Sequence, residues 1–148
     1  MKNAQGAGMK KLTVADYPLA ETRGDSVIGK RGLAVNDITL EAVLAGRVTM
    51  EDLQITPKAL QDQAEIAQDA GRPTLGLNFG RAAELVDVPQ DLIMSTYELL
   101  RPGRAKSKQD LLDRAAVFRE TYNARAIADF ITEAAGVYEK RGVFTYRF

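Results

Sequence analysis

Glu51 and Asp52 are adjacent carboxylates, the residue type that general acid–base chemistry uses when His is absent. A general acid–base pair needs both groups at one reacting bond, whereas consecutive residues of a helix point to different faces. Acids in the first turn also stabilise the positive end of a helix, and Thr49 is placed to begin one here. The sequence therefore favours a structural role for the two carboxylates over a catalytic one.

The side chains that most often carry catalysis are missing. The 148 residues include no Cys, which excludes disulfides, thiolate nucleophiles and thiolate metal ligands. They also include no His, the commonest general base and metal ligand. An enzyme built from this chain alone would depend on Asp, Glu, Lys, Tyr, Ser or Thr. We therefore assign no catalytic, metal-binding or cofactor-binding residue and expect any associated chemistry to lie on another polypeptide.

The charge distribution argues against binding of nucleic acid. Twenty Lys and Arg residues balance twenty Asp and Glu residues, whereas a nucleic-acid binder needs a cationic surface. A recognition helix that began at Thr56 would present Asp62, Glu65 and Asp69 to the phosphates. Residues 6–8 (Gly-Ala-Gly) lack the strand and the helix that flank a dinucleotide loop. Four basic residues near a Pro-Gly turn could contact a phosphate, although positive charge is common near helix C-termini. They are Arg101, Arg104, Lys106 and Lys108.

Composition places the chain among ordinary globular proteins. Hydrophobic residues make up 45% and charged residues 27% of the sequence, so extensive disorder is not expected. No apolar run approaches the ~18 residues that span a bilayer, and the polar N-terminus does not resemble a secretory signal. We therefore expect a cytoplasmic protein that does not enter a membrane.

Capping hydroxyls and prolines predict an all-α fold beyond residue 36. Gly46 and Gly71 are predicted helix ends, and Gly76 and Gly80 are expected to admit a second backbone at close range. The helix that starts at Pro89 is expected to turn Tyr97 inward. The predicted helix starts lie at Thr39 (with Asp37 as the alternative cap), Thr56, Pro73, Pro89 and Ser107.

The last segment has the most regular apolar period. Ser107 and Asp110 form an acidic variant of the capping box before it. The sequence leaves open whether one helix follows or two, with a break at residues 121–123 and Asn123 as a plausible cap. The predicted inward stripe, with a period of about 3.6, consists of Leu111, Ala115, Phe118, Tyr122, Ala126, Phe130, Ala134 and Val137.

Residues 1–36 predict an extended N-terminal arm that precedes a small multi-helix domain of residues 37–148. Pro18 biases Tyr17 towards extended backbone, and several glycines discourage a continuous helix. Many large apolar side chains in a segment without helical period are typical of an arm that lies on a surface, its own or a partner's. We expect Tyr17, Pro18 and Leu19 to contact a partner.

Five segments in a fixed order form a specific pattern across most of the chain. They are residues 16–20 (DYPLA), 39–60 (TLEAVLAGRVTMEDLQITPKAL), 63–72 (QAEIAQDAGR), 78–85 (NFGRAAEL) and 97–102 (YELLRP). In this combination they resemble the small subunit of adenosylcobalamin-dependent diol dehydratases, a family that includes propanediol dehydratase and glycerol dehydratase.

The resemblance implies a helical, non-catalytic subunit of a lyase. Such complexes contain two copies each of a large, a medium and a small subunit, and adenosylcobalamin lies between the large and the medium subunit. The implied reaction is a radical 1,2-shift that converts a 1,2-diol or glycerol to an aldehyde and water. The arm is then expected to dock on the large subunit, and the short segment before Asp16 does not support packaging into a bacterial microcompartment.

Two other classes of function remain open at this point. One is a free-standing helical adaptor or regulatory protein, which would need no partner enzyme. The other is an autonomous enzyme that uses carboxylates, which the missing His disfavours. The preferred diol is not encoded in this chain if the substrate pocket lies on another polypeptide.

Overall fold

Five of the helices in the described range begin at or next to the hydroxyl and proline residues that the sequence indicated: α2, α3, α4, α5 and α6. The structure is a computed structural model that describes residues 11–144, and over this range it contains seven α-helices and no β-strand. The predicted all-α class is confirmed, while residues 6–8 lie outside the described range. The helices are α1 (Leu19–Thr22), α2 (Leu40–Leu44), α3 (Pro57–Asp69), α4 (Pro73–Leu85), α5 (Gln90–Leu100), α6 (Lys108–Thr121) and α7 (Arg125–Arg141).

Side-chain caps fix three of the helix starts. The hydroxyls of Thr39 and Thr56 each accept a hydrogen bond of 3.2 Å from an amide in the first turn of α2 and of α3. At α6, the Ser107 hydroxyl accepts from the Asp110 amide at 3.2 Å, and the Asp110 carboxylate accepts from the Ser107 amide at 3.1 Å. The Ser107 hydroxyl and the Lys106 amide also donate to this carboxylate, which holds the pKa of Asp110 below its ordinary value of 3.8. The predicted caps at these positions are confirmed.

The chain forms two compact units, one up to Phe79 and one from Gly80, and the division falls within α4. This division differs from the boundary predicted at residue 36 between an arm and a helical domain, and that boundary stays a prediction. In the first unit, a Cβ on Gly76 would lie 3.1 Å from the Ala64 carbonyl oxygen, so α3 and α4 approach closely only because this residue is glycine. A Cβ on Gly80 would meet no neighbouring atom of the described residues, so the close approach expected at this glycine is not seen there.

The arm is described from residue 11 and consists of short helical turns joined by extended residues. Three 3-10 turns accompany α1: Val14–Asp16, Gly24–Ser26 and Val35–Asp37. Between the last two turns, an isolated antiparallel bridge pairs Ile28 with Ala34. The helix expected to begin at Thr49 is replaced by a hydrogen-bonded turn.

The long C-terminal pattern is interrupted and forms two helices. Asn123, between α6 and α7, has a positive φ of 53°, which no helix continues through. The break rotates the buried face of α7 away from the predicted stripe. The stripe is therefore wrong for Phe130 and Val137, which are 41% and 37% exposed, and the Arg81 guanidinium covers the Phe130 ring at 4.9 Å. The fully or almost fully buried residues of the two helices are Leu111, Ala115, Phe118, Ala128, Ile131 and Ala135.

The prediction that Tyr97 faces inward is also wrong. Tyr97 is 60% exposed, and the neighbouring Thr96 takes the buried position on α5. The Thr96 hydroxyl donates to the Leu92 carbonyl at 2.6 Å and accepts from Arg114 at 2.8 Å. These bonds satisfy the polar group, so a threonine is tolerated where the apolar period placed a larger ring.

A remote carboxylate caps α7. Glu84 of α4 accepts hydrogen bonds from the amides of Ala126 and Ile127, at 3.0 and 2.9 Å. Amides of a first helical turn have no partner within their own helix, and no side chain at the N-cap position, Ala124, supplies one here. The contact between the Glu84 carboxylate and this helix end therefore fixes where α7 begins.

We expect Glu84→Ala to lower the free energy of unfolding by about 1–3 kcal/mol, because two partly buried amides lose their acceptor. Glu133→Ala provides the control, since Glu133 is an exposed glutamate of α7 itself. Urea denaturation of both variants measures the difference. Equal stability of the two variants would show that the Glu84 contact contributes nothing.

Candidate partner interface

Two carboxylates of α3 anchor the arm. Glu65 accepts a hydrogen bond from the Leu12 amide and Asp69 from the Val14 amide, each at 2.8 Å. The two acids are four residues apart, which places them on one face of α3. From the sequence alone, Glu65 and Asp69 indicated only repulsion of phosphate, and their spacing was the one signal of a shared role.

Leu19 packs inside the chain. It is 7% exposed and forms a buried cluster with Leu12 and Ile66, and Val27 packs against it. The expectation that Leu19 contacts a partner stays a prediction, and its side chain already packs within the first unit. Tyr17, by contrast, is 60% exposed, and Pro18 is exposed as well.

Tyr17 projects from a stretch of backbone that is held on both sides. Its φ and ψ of −92° and 138° are extended, as Pro18 predicted, and the peptide bond between them is cis. On the N-terminal side, the Asp16 carboxylate accepts from the Thr13 amide and from the Arg23 side chain, both at 2.8 Å. These two donors hold the pKa of Asp16 below its ordinary value of 3.8.

A shallow apolar cavity lies beside Tyr17. Its volume is about 280 Å³, and Val14, Ile66, Leu75 and Phe79 supply much of its wall. This volume is just below the range of about 300–1,000 Å³ that is typical of small-molecule sites. The cavity has room for one or two side chains of a partner and is too small for a cofactor of the size of adenosylcobalamin.

The fold places the adjacent carboxylates of Glu51 and Asp52 in different surroundings. Glu51 is exposed, whereas the side chain of Asp52 is fully buried. Asp52 accepts from the Thr49 amide at 2.8 Å and pairs with the Arg31 guanidinium at 3.1 Å, which ties residues 49–52 to the arm. The structural role of Asp52 is thereby established. Across residues 11–144, no three carboxylates cluster in a way that could hold a metal ion.

Local acids pair with three of the four basic residues of the cluster near the Pro-Gly turn. Glu98 pairs with Arg101 at 3.1 Å and with Arg104 at 4.0 Å, and Glu139 pairs with Lys108 at 2.7 Å. Glu98 and Glu139 offset two of the four positive charges, and these contacts support the helix-end interpretation. Nor does any helix within the described range have the length and apolar character needed to cross a membrane.

The sequence of the chain can be compared with those of known proteins. The family model for dehydratase small subunits matches residues 12–145. The propanediol dehydratase small subunit of Salmonella typhimurium is 44% identical over 138 residues, which cover 93% of this chain and 79% of that protein. The propanediol dehydratase small subunit of Citrobacter freundii is 45% identical over 128 residues, which cover 86% and 74%. The chain therefore belongs to the dehydratase small-subunit family.

The arm should loosen in acid through Asp16. Because folding lowers the pKa of this carboxyl, its contribution to stability is present above pH 3.8 and is lost as the pH falls through the lowered value. We expect the Thr13 amide resonance to titrate with a midpoint below 3.8, and Asp16→Asn to abolish that titration. NMR spectra recorded across the acidic range measure both. A midpoint at or above 3.8 in the native protein would contradict the assigned hydrogen bonds.

Proposed function

We propose that this chain is the non-catalytic small subunit of an adenosylcobalamin-dependent propanediol or glycerol dehydratase. The observation that carries the proposal is 44–45% identity to propanediol dehydratase small subunits over most of both chains. The absence of His and Cys from the sequence supports it, because such a chain has little means of catalysing the reaction alone. The complex would act in the cytoplasm, converting a 1,2-diol or glycerol to an aldehyde and water.

Adenosylcobalamin does not fit the residues of this chain. The sequence has no His to ligate cobalt, and the cavities described in the two units measure about 280, 290 and 170 Å³. Following the family resemblance, we propose that the cofactor lies between the large and the medium subunit, in a complex with two copies of each of the three subunits. When bound there, the cofactor supplies the radical chemistry. The residues of this chain bind the neighbouring subunit and hold their own surface in a fixed shape.

The arm is the element that we assign to assembly, with Tyr17 and Pro18 docking on the large subunit. An exposed tyrosine offers a large, stiff apolar ring, and burial of such a ring is a common source of binding energy. The backbone on either side is already fixed by Asp16 and by buried Leu19, so little conformational entropy is lost on docking.

Co-expression with the large and medium dehydratase subunits tests the proposal. We expect this chain to co-elute with both, and the reconstituted complex to form aldehyde from propane-1,2-diol or glycerol when adenosylcobalamin is added. The isolated chain should form none. Aldehyde formation by the chain alone would refute the non-catalytic role, and failure to co-elute would favour a free-standing adaptor.

Single substitutions separate the exposed residue of the arm from the buried one. Tyr17→Ala should weaken assembly by about 1–3 kcal/mol while the urea midpoint of the isolated chain barely moves. Leu19→Ala should lower the free energy of unfolding by about 2–4 kcal/mol, because it opens a cavity in the cluster with Leu12 and Ile66. Sedimentation with the other subunits and urea denaturation measure the two effects. If Tyr17→Ala assembles normally, the arm does not form the interface.

A further inference from the structure

A small apolar cavity opens on the surface of the second unit. Its volume is about 170 Å³, and its wall includes the buried side chains of Phe118 and Ile131. Tyr97 and Phe130 also line it and are 60% and 41% exposed, while the Thr96 hydroxyl in the wall is already hydrogen-bonded. An apolar cavity of about 150 Å³ stays dry and binds a benzene ring. The cavity therefore has the size and the character to hold one aromatic ring.

The chain reverses its direction at the end of α7. Gly142 has a φ of 64°, in the left-handed region, and the Val143 amide donates to the Tyr138 carbonyl at 3.1 Å. This is the hydrogen bond of the Schellman motif, whose left-handed residue is usually glycine. The Phe144 ring then lies against the Tyr138 ring, with centroids 6.1 Å apart and an interplanar angle of 61°. The residues after Gly142 thus turn back onto α7.

Tyr138 connects this turn with the cavity. Its hydroxyl donates to the Leu100 carbonyl at the end of α5, and Leu100 also lines the cavity. The α7 residues of the wall, Ile127, Phe130 and Ile131, precede Tyr138 by seven to eleven positions. That separation is roughly 10–17 Å along a helix axis. A segment that runs back along α7 from the turn therefore reaches the cavity.

The residues that follow Phe144 have the pattern and the reach for this path. Residues 145–148, which lie outside the described range, are Thr-Tyr-Arg-Phe, so aromatic residues occupy positions 144, 146 and 148 with polar residues between them. An extended segment turns alternate side chains to one side, and Phe144 sets that side as the one facing Tyr138. At about 3.3 Å per residue, position 148 lies roughly 13 Å beyond Phe144, level with the cavity.

We propose that residues 145–148 fold back along α7 and that the ring of Phe148 fills the cavity. The ring covers the exposed parts of Tyr97 and Phe130, and the Arg147 side chain faces solvent. Tyr146 and Phe148 are the two aromatic residues of the sequence outside the described range, which limits the rings that this chain can supply. The C-terminal segment then completes the core of the second unit. This contact goes beyond the proposed function, because it requires no other subunit.

NMR spectroscopy of the full-length isolated chain tests the contact directly. With labelled isoleucine methyl groups, we expect nuclear Overhauser effects from the Phe148 ring to the methyl groups of Ile127 and Ile131. Phe148→Ala should remove these cross-peaks. The control is Arg147→Ala, at the adjacent position whose side chain faces solvent, and it should keep them. A mixture of labelled and unlabelled chains distinguishes contacts within one chain from contacts between two copies.

Xenon provides a second probe, because it binds in empty apolar cavities. In the native chain and in Arg147→Ala the ring occupies the cavity, so xenon pressure should leave the methyl resonances of Ile127 and Ile131 unshifted. In Phe148→Ala the same pressure should shift both resonances. Circular dichroism of the variant checks that its helices are retained.

Three results would overturn the proposal, and none of them bears on the subunit role. The first is the absence of contacts between Phe148 and these methyl groups, with equal xenon shifts in the native and variant chains. The second is contact with the ring of Tyr146 or with another segment in place of Phe148. The third is a set of contacts found only between differently labelled chains, which would assign the cavity to a second copy.

Discussion

This fold depends on hydrogen bonds in which a side-chain carboxylate accepts from a backbone amide that has no partner within its own helix or turn. Glu84 fixes the start of α7, Asp110 the start of α6, and Asp52 the turn after α2. Glu65 and Asp69 anchor the arm in the same way. Each bond joins an acid to a donor that would otherwise lack a partner, so its loss would cost more than an exposed ion pair. These five acids therefore already have structural partners within the fold.

Local signals account for the parts of the fold that the sequence predicted. A hydroxyl at Thr39, Thr56 or Ser107 needs only residues within its own first turn, so its role is readable without tertiary information. The break between α6 and α7 is not readable from local signals in this way, because the apolar period continues across it and fits one helix as well as two. Once Asn123 adopts a positive φ, the face of α7 rotates, and Phe130 is left partly exposed. Only the packing of the second unit determines which face of α7 is buried.

The candidate interface was predicted less completely, for a similar reason. Extended backbone at Tyr17 follows from the residue after it, and the sequence indicated it. The burial of Leu19 depends on contacts with Ile66, and the anchoring amides of Leu12 and Val14 bind acids more than 50 residues away. No window of local sequence contains both partners. The exposure of Leu40, Val43 and Leu44 on α2 was missed because apolar periodicity shows which residues share a face and leaves open whether that face is buried.

The two units differ in how much of their apolar surface they bury internally. Among the described residues, ten of the fifteen large apolar side chains that are exposed belong to the first unit. The cluster of Leu12, Leu19 and Ile66 in that unit is small, whereas the second unit holds one contiguous core that contains the fully buried Leu111 and Ile131. A neighbour that binds the folded state of this unit stabilises it by mass action. The arm that we propose for docking lies on the first unit, so assembly and stability are expected to be coupled there.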